Sequence, residues 1–264
     1  MSSVTNTDGD IYCEEIGQGT PILLIHPSGA TASTWGSVVE KLARHGRVIV
    51  YDRRGYARTG GEPVSSIATH TQDAAALLDK LADRPAVVVG TSIGATIAID
   101  LARLRPDLVQ AVVAHESPWH VTKQPPTRRE IAALGKMAWL SRRQRYPEAA
   151  AAFLRFAYGY RDGGTAWERF PDTWRQVAGE NAQAGLSDIR IAIGNYPTAD
   201  QLASVTRPVL CTCGSRSPSK MVRVTRKLAK TVPTGSFLQI EGAGHAAPFD
   251  APDNFAAVVH QAMA

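Results

Sequence analysis

The chain reads as an α/β protein, a mostly parallel sheet covered by helices on both faces. Three observations predict this. Six short runs rich in valine, isoleucine and leucine alternate with helical stretches. The runs are continuously apolar rather than alternating, the pattern of strands buried on both faces. One of them, Ala86-Val87-Val88-Val89, runs straight into Gly90-Thr91-Ser92-Ile93-Gly94, with a helix-forming stretch behind it.

Taken in order, residues 10–15 are expected to add an antiparallel edge strand. Parallel strands follow at residues 21–26 (carried by Ile22-Leu23-Leu24-Ile25), 47–51, 85–90, 108–115 (carried by Val112-Val113), 208–213 and 236–241. Helices are expected at roughly 35–45, 71–82, 95–105, 220–232 and 252–263. From about residue 117 to 204 the alternation stops. Only helical periodicity remains there, interrupted by Pro125-Pro126, Gly163-Gly164 and Pro171. Residues 1–116 and 205–264 therefore read as the core domain, and 117–204 as a helical cap inserted between two sheet strands. The cap holds four of the five tryptophans, and its twelve basic residues outnumber eight acidic ones. Its aromatics serve packing first. Those on its underside would favour a bulky, largely apolar substrate.

Composition narrows the function classes. The 264 residues are 44% hydrophobic and 20% charged, as in ordinary globular chains. No apolar run approaches the roughly 20 residues that span a bilayer. Residues 1–8 lack a basic start followed by an apolar stretch, so a cytoplasmic protein is expected. Cys13, Cys211 and Cys213 form no disulfide framework and read as small buried hydrophobes. The net charge of +5 is scattered, without the like-charge runs of a nucleic-acid partner. Neither metal-ligand spacing nor a phosphate-cradling glycine loop is present, so no cofactor or metal is expected.

The strand–Gly-x-Ser-x-Gly–helix arrangement is a nucleophile elbow. Its glycines permit a turn too tight for larger side chains, and the serine emerges at a helix N-terminus that favours negative charge. Ser92 is thus the candidate nucleophile, and a serine needs a base. His245 in Gly242-Ala243-Gly244-His245, directly after the last strand, fits best. His26, His115 and His120 compete from other strand ends, while His45, His70 and His260 read as surface or helix residues. An oxyanion site needs two N–H groups: Ile93 after the nucleophile, and Ser28 in the loop after strand 21–26, where Gly29 allows close approach. The orienting acid is less direct. The loop after strand 208–213, Gly214-Ser215-Arg216-Ser217-Pro218, has no carboxylate. Glu116 ends an apolar strand and needs a partner there, so it is preferred over an anchoring role and over Asp250. Tyr51 to Gly60 reads as a structural loop supporting the oxyanion region.

Together, His26-Pro27-Ser28-Gly29, Tyr51-Asp52-Arg53-Arg54-Gly55, Gly90-Thr91-Ser92-Ile93-Gly94 and Gly242-Ala243-Gly244-His245 resemble the α/β-hydrolase superfamily over essentially the whole chain. The resemblance implies an eight-stranded sheet with the cap after strand 6. A serine nucleophile separates it from the superfamily's haloalkane dehalogenases and epoxide hydrolases, which use aspartate. Gly90-Thr91-Ser92-Ile93-Gly94-Ala95, His115-Glu116-Ser117-Pro118 and Asn195-Tyr196-Pro197-Thr198 further resemble the zearalenone lactone hydrolases. That resemblance implies a triad of Ser92, His245 and Glu116, oxyanion donors Ser28 and Ile93, and a bulky aromatic lactone as substrate. Trp119, Trp167, Trp174, Tyr196 and Pro248 are the candidate substrate contacts. The expectation is a monomeric or homodimeric serine hydrolase of a small-molecule ester or lactone, without nucleic-acid or membrane partners. A carbon–carbon bond hydrolase, a thioesterase and a low-turnover ligand-binding homologue are the alternatives.

Overall fold

The computed structural model describes residues 2–6, 9–119, 123–194 and 196–263. Eight strands form one sheet: β1 (Ser2–Asn6), β2 (Gly9–Ile16), β3 (Pro21–Ile25), β4 (Arg47–Tyr51), β5 (Ala86–Thr91), β6 (Val109–His115), β7 (Val209–Gly214) and β8 (Gly235–Ile240). Their order is β1-β2-β4-β3-β5-β6-β7-β8. From β4 to β8 every pairing is parallel, while β1 and β2 join antiparallel.

The apolar runs are continuous because each strand feeds two cores. Leu23, Ile25, Ile49, Val88 and Val112 face one side and pack on α2 (Ile67–Leu81), α3 (Ile93–Leu104) and α9 (Ser219–Thr231). Ile22, Leu24, Val48, Val87 and Val113 face the other, against α1 (Ser37–Ala43) and α11 (Pro252–Gln261). All three cysteines are buried within these layers.

The expected edge strand is corrected in position. Residues 10–15 form part of β2, which lies second from the edge, because Ser2–Asn6 adds a further strand outside it (Ser2 opposite Cys13, Asn6 opposite Gly9). That outer strand is short and polar, so no hydrophobic pattern announces it.

Between β6 and β7 the described residues add no strand of the sheet but five α-helices: α4 (Arg128–Arg142), α5 (Tyr146–Ala157), α6 (Asp172–Glu180), α7 (Ala182–Gly194) and α8 (Ala199–Ala203). Thr127 starts α4 with a capping box, its hydroxyl accepting from Glu130 N and the Glu130 carboxylate accepting from Thr127 N. These helices bury small clusters of their own, around Leu154, Trp167 and Phe170 and around Leu140, Leu186 and Ile189. A short helix, α10 (Ala247–Asp250), precedes α11. Among the described residues no helix is long and apolar enough to cross a membrane.

Candidate active site

The turn after β5 is set by steric necessity. A Cβ on Gly90 would lie 2.1 Å from Gly94 O, and one on Gly94 would lie 2.2 Å from Ile25 O. Between them Ser92 takes φ 55° and ψ −123°, a left-handed conformation that costs a non-glycine residue about 1–3 kcal/mol. The neighbouring strand holds it there, with Ser92 N donating to His115 O at 2.8 Å. α3 begins at the next residue, so its N-terminus lies beneath the serine.

Glu116 sits one rung away, at the end of β6, and is also left-handed at φ 49°. It is buried, and His245 Nδ1 lies 2.7 Å from its Oε2. Its Oε1 accepts from Gly214 N at 3.1 Å and from the Ser217 hydroxyl. Burial pushes this carboxyl up, but the hydrogen bonds from His245 and Ser217 and the neighbouring imidazole charge outweigh it and hold it at about 2. An ionised carboxylate only accepts, so Nδ1 carries the imidazole proton and Nε2 is left as an acceptor. His245 reaches this position because its loop packs against β7: a Cβ on Gly214 would lie 2.0 Å from Ala243 O. From the other side Asp250 accepts from Gly244 N at 2.9 Å and from Tyr160 OH at 2.5 Å, so Asp250 braces the loop. Ser217 was not expected here. The signal was its place in the loop that lacks a carboxylate, where it donates to the acid instead.

The other histidines are engaged elsewhere. His115 is buried, its Nε2 donating to Gly244 O at 3.1 Å, with Thr212 Oγ1 3.0 Å from Nδ1. His26 accepts from Arg53 N at Nε2 (3.0 Å) and bonds Pro27 O through Nδ1. His70 lies on α2 but is buried against Arg53 rather than at the surface. His45 and His260 meet edge to face with ring centres 4.1 Å apart. His120 lies outside the described residues.

The Ser28 loop rests on a buried ionic cluster. Arg53, fully buried, donates from Nε to His26 O (3.1 Å) and from Nη2 to Asp188 Oδ2 on α7 (2.6 Å). Tyr56 OH donates to the same Asp188 oxygen at 2.5 Å and accepts from Gly29 N at 3.4 Å. Burial would raise the Asp188 carboxyl, yet the Arg53 charge holds it far below the usual range. Gly29 is left-handed at φ 70°, and a Cβ there would lie 2.8 Å from Leu154 Cδ1. The loop Tyr51–Gly60 therefore supports residues 26–29, as expected, and ties them to the helical insertion.

Ser28, Ser92, Ile93, Glu116 and His245 share the wall of one cavity of about 220 Å³, otherwise lined by residues such as Leu134, Phe153, Ile189 and Met221. A smaller space of about 50 Å³ adjoins it at His245 and Tyr158, lined by Trp35, Trp167, Phe170, Trp174, Pro248 and Phe249. Of the candidate contacts, Tyr196 lines the larger space, and Trp167, Trp174 and Pro248 line the smaller. Trp119 lines neither. It is buried in the core, its indole N–H donating to Pro197 O at 2.8 Å.

Comparison with known proteins places the fold. Residues 22–258 match the Alpha/beta hydrolase family. The chain is 36% identical over 110 residues to Uncharacterized hydrolase YraK of Bacillus subtilis (strain 168), a match that spans 40% of this chain and 41% of that protein. Among solved structures, the enol-lactonase from Burkholderia xenovorans LB400 superposes with a TM-score of 0.81 at 20% identity, covering 99% of both chains. Est816, described as an N-acyl homoserine lactone degrading enzyme, gives 0.78 at 23% identity, covering 98% of this chain and 99% of its own. Likeness at these identities is a likeness of fold. With nine-tenths of its length matched, the chain belongs to the alpha/beta hydrolase family.

Proposed function

We propose that this protein is a serine hydrolase that cleaves a carboxylic ester or lactone through an acyl-enzyme. The observation that carries the reading is the 2.7 Å bond from His245 Nδ1 to a buried, ionised Glu116, on the wall of the cavity that also holds Ser92. In this reading Ser92 Oγ attacks the carbonyl carbon while His245 Nε2 takes its proton. Glu116 holds the tautomer and balances the imidazolium. The N–H groups of Ile93 and Ser28 receive the developing oxyanion. His245 then passes its proton to the departing oxygen, and water, activated by the same histidine, releases the acid.

The substrate is proposed to be bulky and partly aromatic, a lactone of the zearalenone type, with the insertion acting as the cap over it. The larger cavity is roughly one and a half times the 150 Å³ apolar cavity known to hold a benzene ring. The aromatic annex at His245 offers a second compartment beside it. Two proteins of the same fold are described as an enol-lactonase and an N-acyl homoserine lactone degrading enzyme, which agrees with this choice.

The test is product analysis by mass after incubation with zearalenone, with Ser92→Ala beside the wild type. Ring-opened product from the wild type alone is the expected result. Equal product from both proteins would overturn the serine mechanism. Absence of product from both, with Ser92-dependent cleavage of simple nitrophenyl esters, would overturn the zearalenone-type substrate and retain the hydrolase.

A further inference from the structure

The wall of the larger cavity contains an ion pair that the proposed chemistry does not use. Lys220 Nζ, at the start of α9, lies 2.7 Å from Glu130 Oε2 on α4, with the two side chains only 12% and 13% exposed. Glu130 is committed twice, since the same oxygen accepts weakly from Thr127 N. An ammonium carries three donors, and among the described residues Glu130 is the partner of one of them. Tyr196 lies on the same wall, and its buried hydroxyl has no hydrogen-bond partner among the described residues. A buried polar group without a partner costs stability, which a ligand atom can recover.

The charge arrangement decides what kind of atom that is. Each carboxylate on the cavity wall is already matched, Glu130 by Lys220, Asp188 by Arg53 and Glu116 by His245. A carboxylate on the ligand would therefore add an uncompensated charge to an apolar enclosure. A hydroxyl or carbonyl oxygen adds none, and it meets spare donors. We propose that Lys220 and Tyr196 select substrates whose acyl part carries an uncharged oxygen, and that Glu130 excludes acyl parts bearing a carboxylate. The inference rests on the ester hydrolase reading above and deepens it.

The experiment compares nitrophenyl esters of octanoate, of octanoates with a ketone placed along the chain, and of chains of the same length ending in a carboxylate. In the wild type at least one keto ester should exceed the plain ester in kcat/KM by about tenfold, the size expected for a hydrogen bond to a charged donor. The carboxylate ester should fall below both. Lys220→Met should erase the keto preference, Tyr196→Phe should reduce it, and Glu130→Gln should raise the carboxylate ester relative to the plain one. Titration calorimetry of the matching methyl esters into Ser92→Ala reads the same order without turnover, so a failure of the hydrolase reading leaves this one testable. Equal binding of keto and plain esters, or preferences unchanged in both Lys220→Met and Glu130→Gln, would overturn the proposal.

Discussion

Glu116→Gln tests the assignment of the orienting acid, and its outcome can be worked out from three hydrogen bonds. Gly214 N can only donate, and it points at Oε1 together with the Ser217 hydroxyl. In the amide variant the oxygen takes that position, because the reverse orientation would set an NH₂ group against a backbone N–H. The amide NH₂ then faces His245 Nδ1, which must become an acceptor, so the imidazole proton moves to Nε2. A histidine protonated there cannot accept the proton of Ser92. Loss of the correct tautomer typically lowers kcat by about 10,000-fold, a barrier increase of roughly 5.5 kcal/mol. Substrate binding is untouched, so KM should hold. The assay is steady-state hydrolysis of a chromogenic ester, with thermal melting to show that the variant is folded. A folded Glu116→Gln protein with kcat within tenfold of wild type would refute the reasoning and move the orienting role elsewhere.

Two further outcomes follow from the buried charges. The Glu116 carboxyl is lowered from 4.5 to about 2 on folding, so it contributes stability above pH 4.5 that is lost as pH falls toward 2. The shift corresponds to roughly 3 kcal/mol at most, and urea unfolding from pH 7 to 3 should show a smaller acid loss in Glu116→Gln than in wild type; parallel slopes would contradict it. Asp188→Asn leaves the fully buried Arg53 without its counter-charge, which should cost about 3–5 kcal/mol and lower Tm by several degrees or more. It should also lower kcat through the loop around Ser28, and a melt unchanged within error would show that the pair contributes little.

What the sequence made legible follows from which forces are local. The parallel strands β3 to β7 announce themselves because burial on both faces demands continuous apolar runs, as in Ala86 to Val89. Ser92 and His245 stand out because glycine-rich turns at strand ends have few other uses. Glu116 is a candidate by its context, a carboxylate ending an apolar strand. β1 escaped notice since its pairing is made by backbone groups that every sequence has. The Arg53–Asp188 pair spans 135 residues and depends on where α7 lands, which helical periodicity does not state. Trp119 was a candidate contact on composition alone, and its indole instead fastens the chain at Pro197.

Ser92 and Glu116 each follow a partner in one rung of the β5–β6 ladder, Thr91 opposite His115. The sheet thus serves as a ruler: Ser92 and Glu116 are set one interstrand step apart, about 4.8 Å, by backbone pairing alone. No residue of the insertion enters that measurement. The insertion is consequently free to change its side chains, its helices and the shape of its cavity while Ser92 and Glu116 keep their spacing. A fold built this way can keep its outline at one-fifth identity, as the likeness to the enol-lactonase illustrates. New substrates are then a matter of redrawing the roof, with the foundations left untouched.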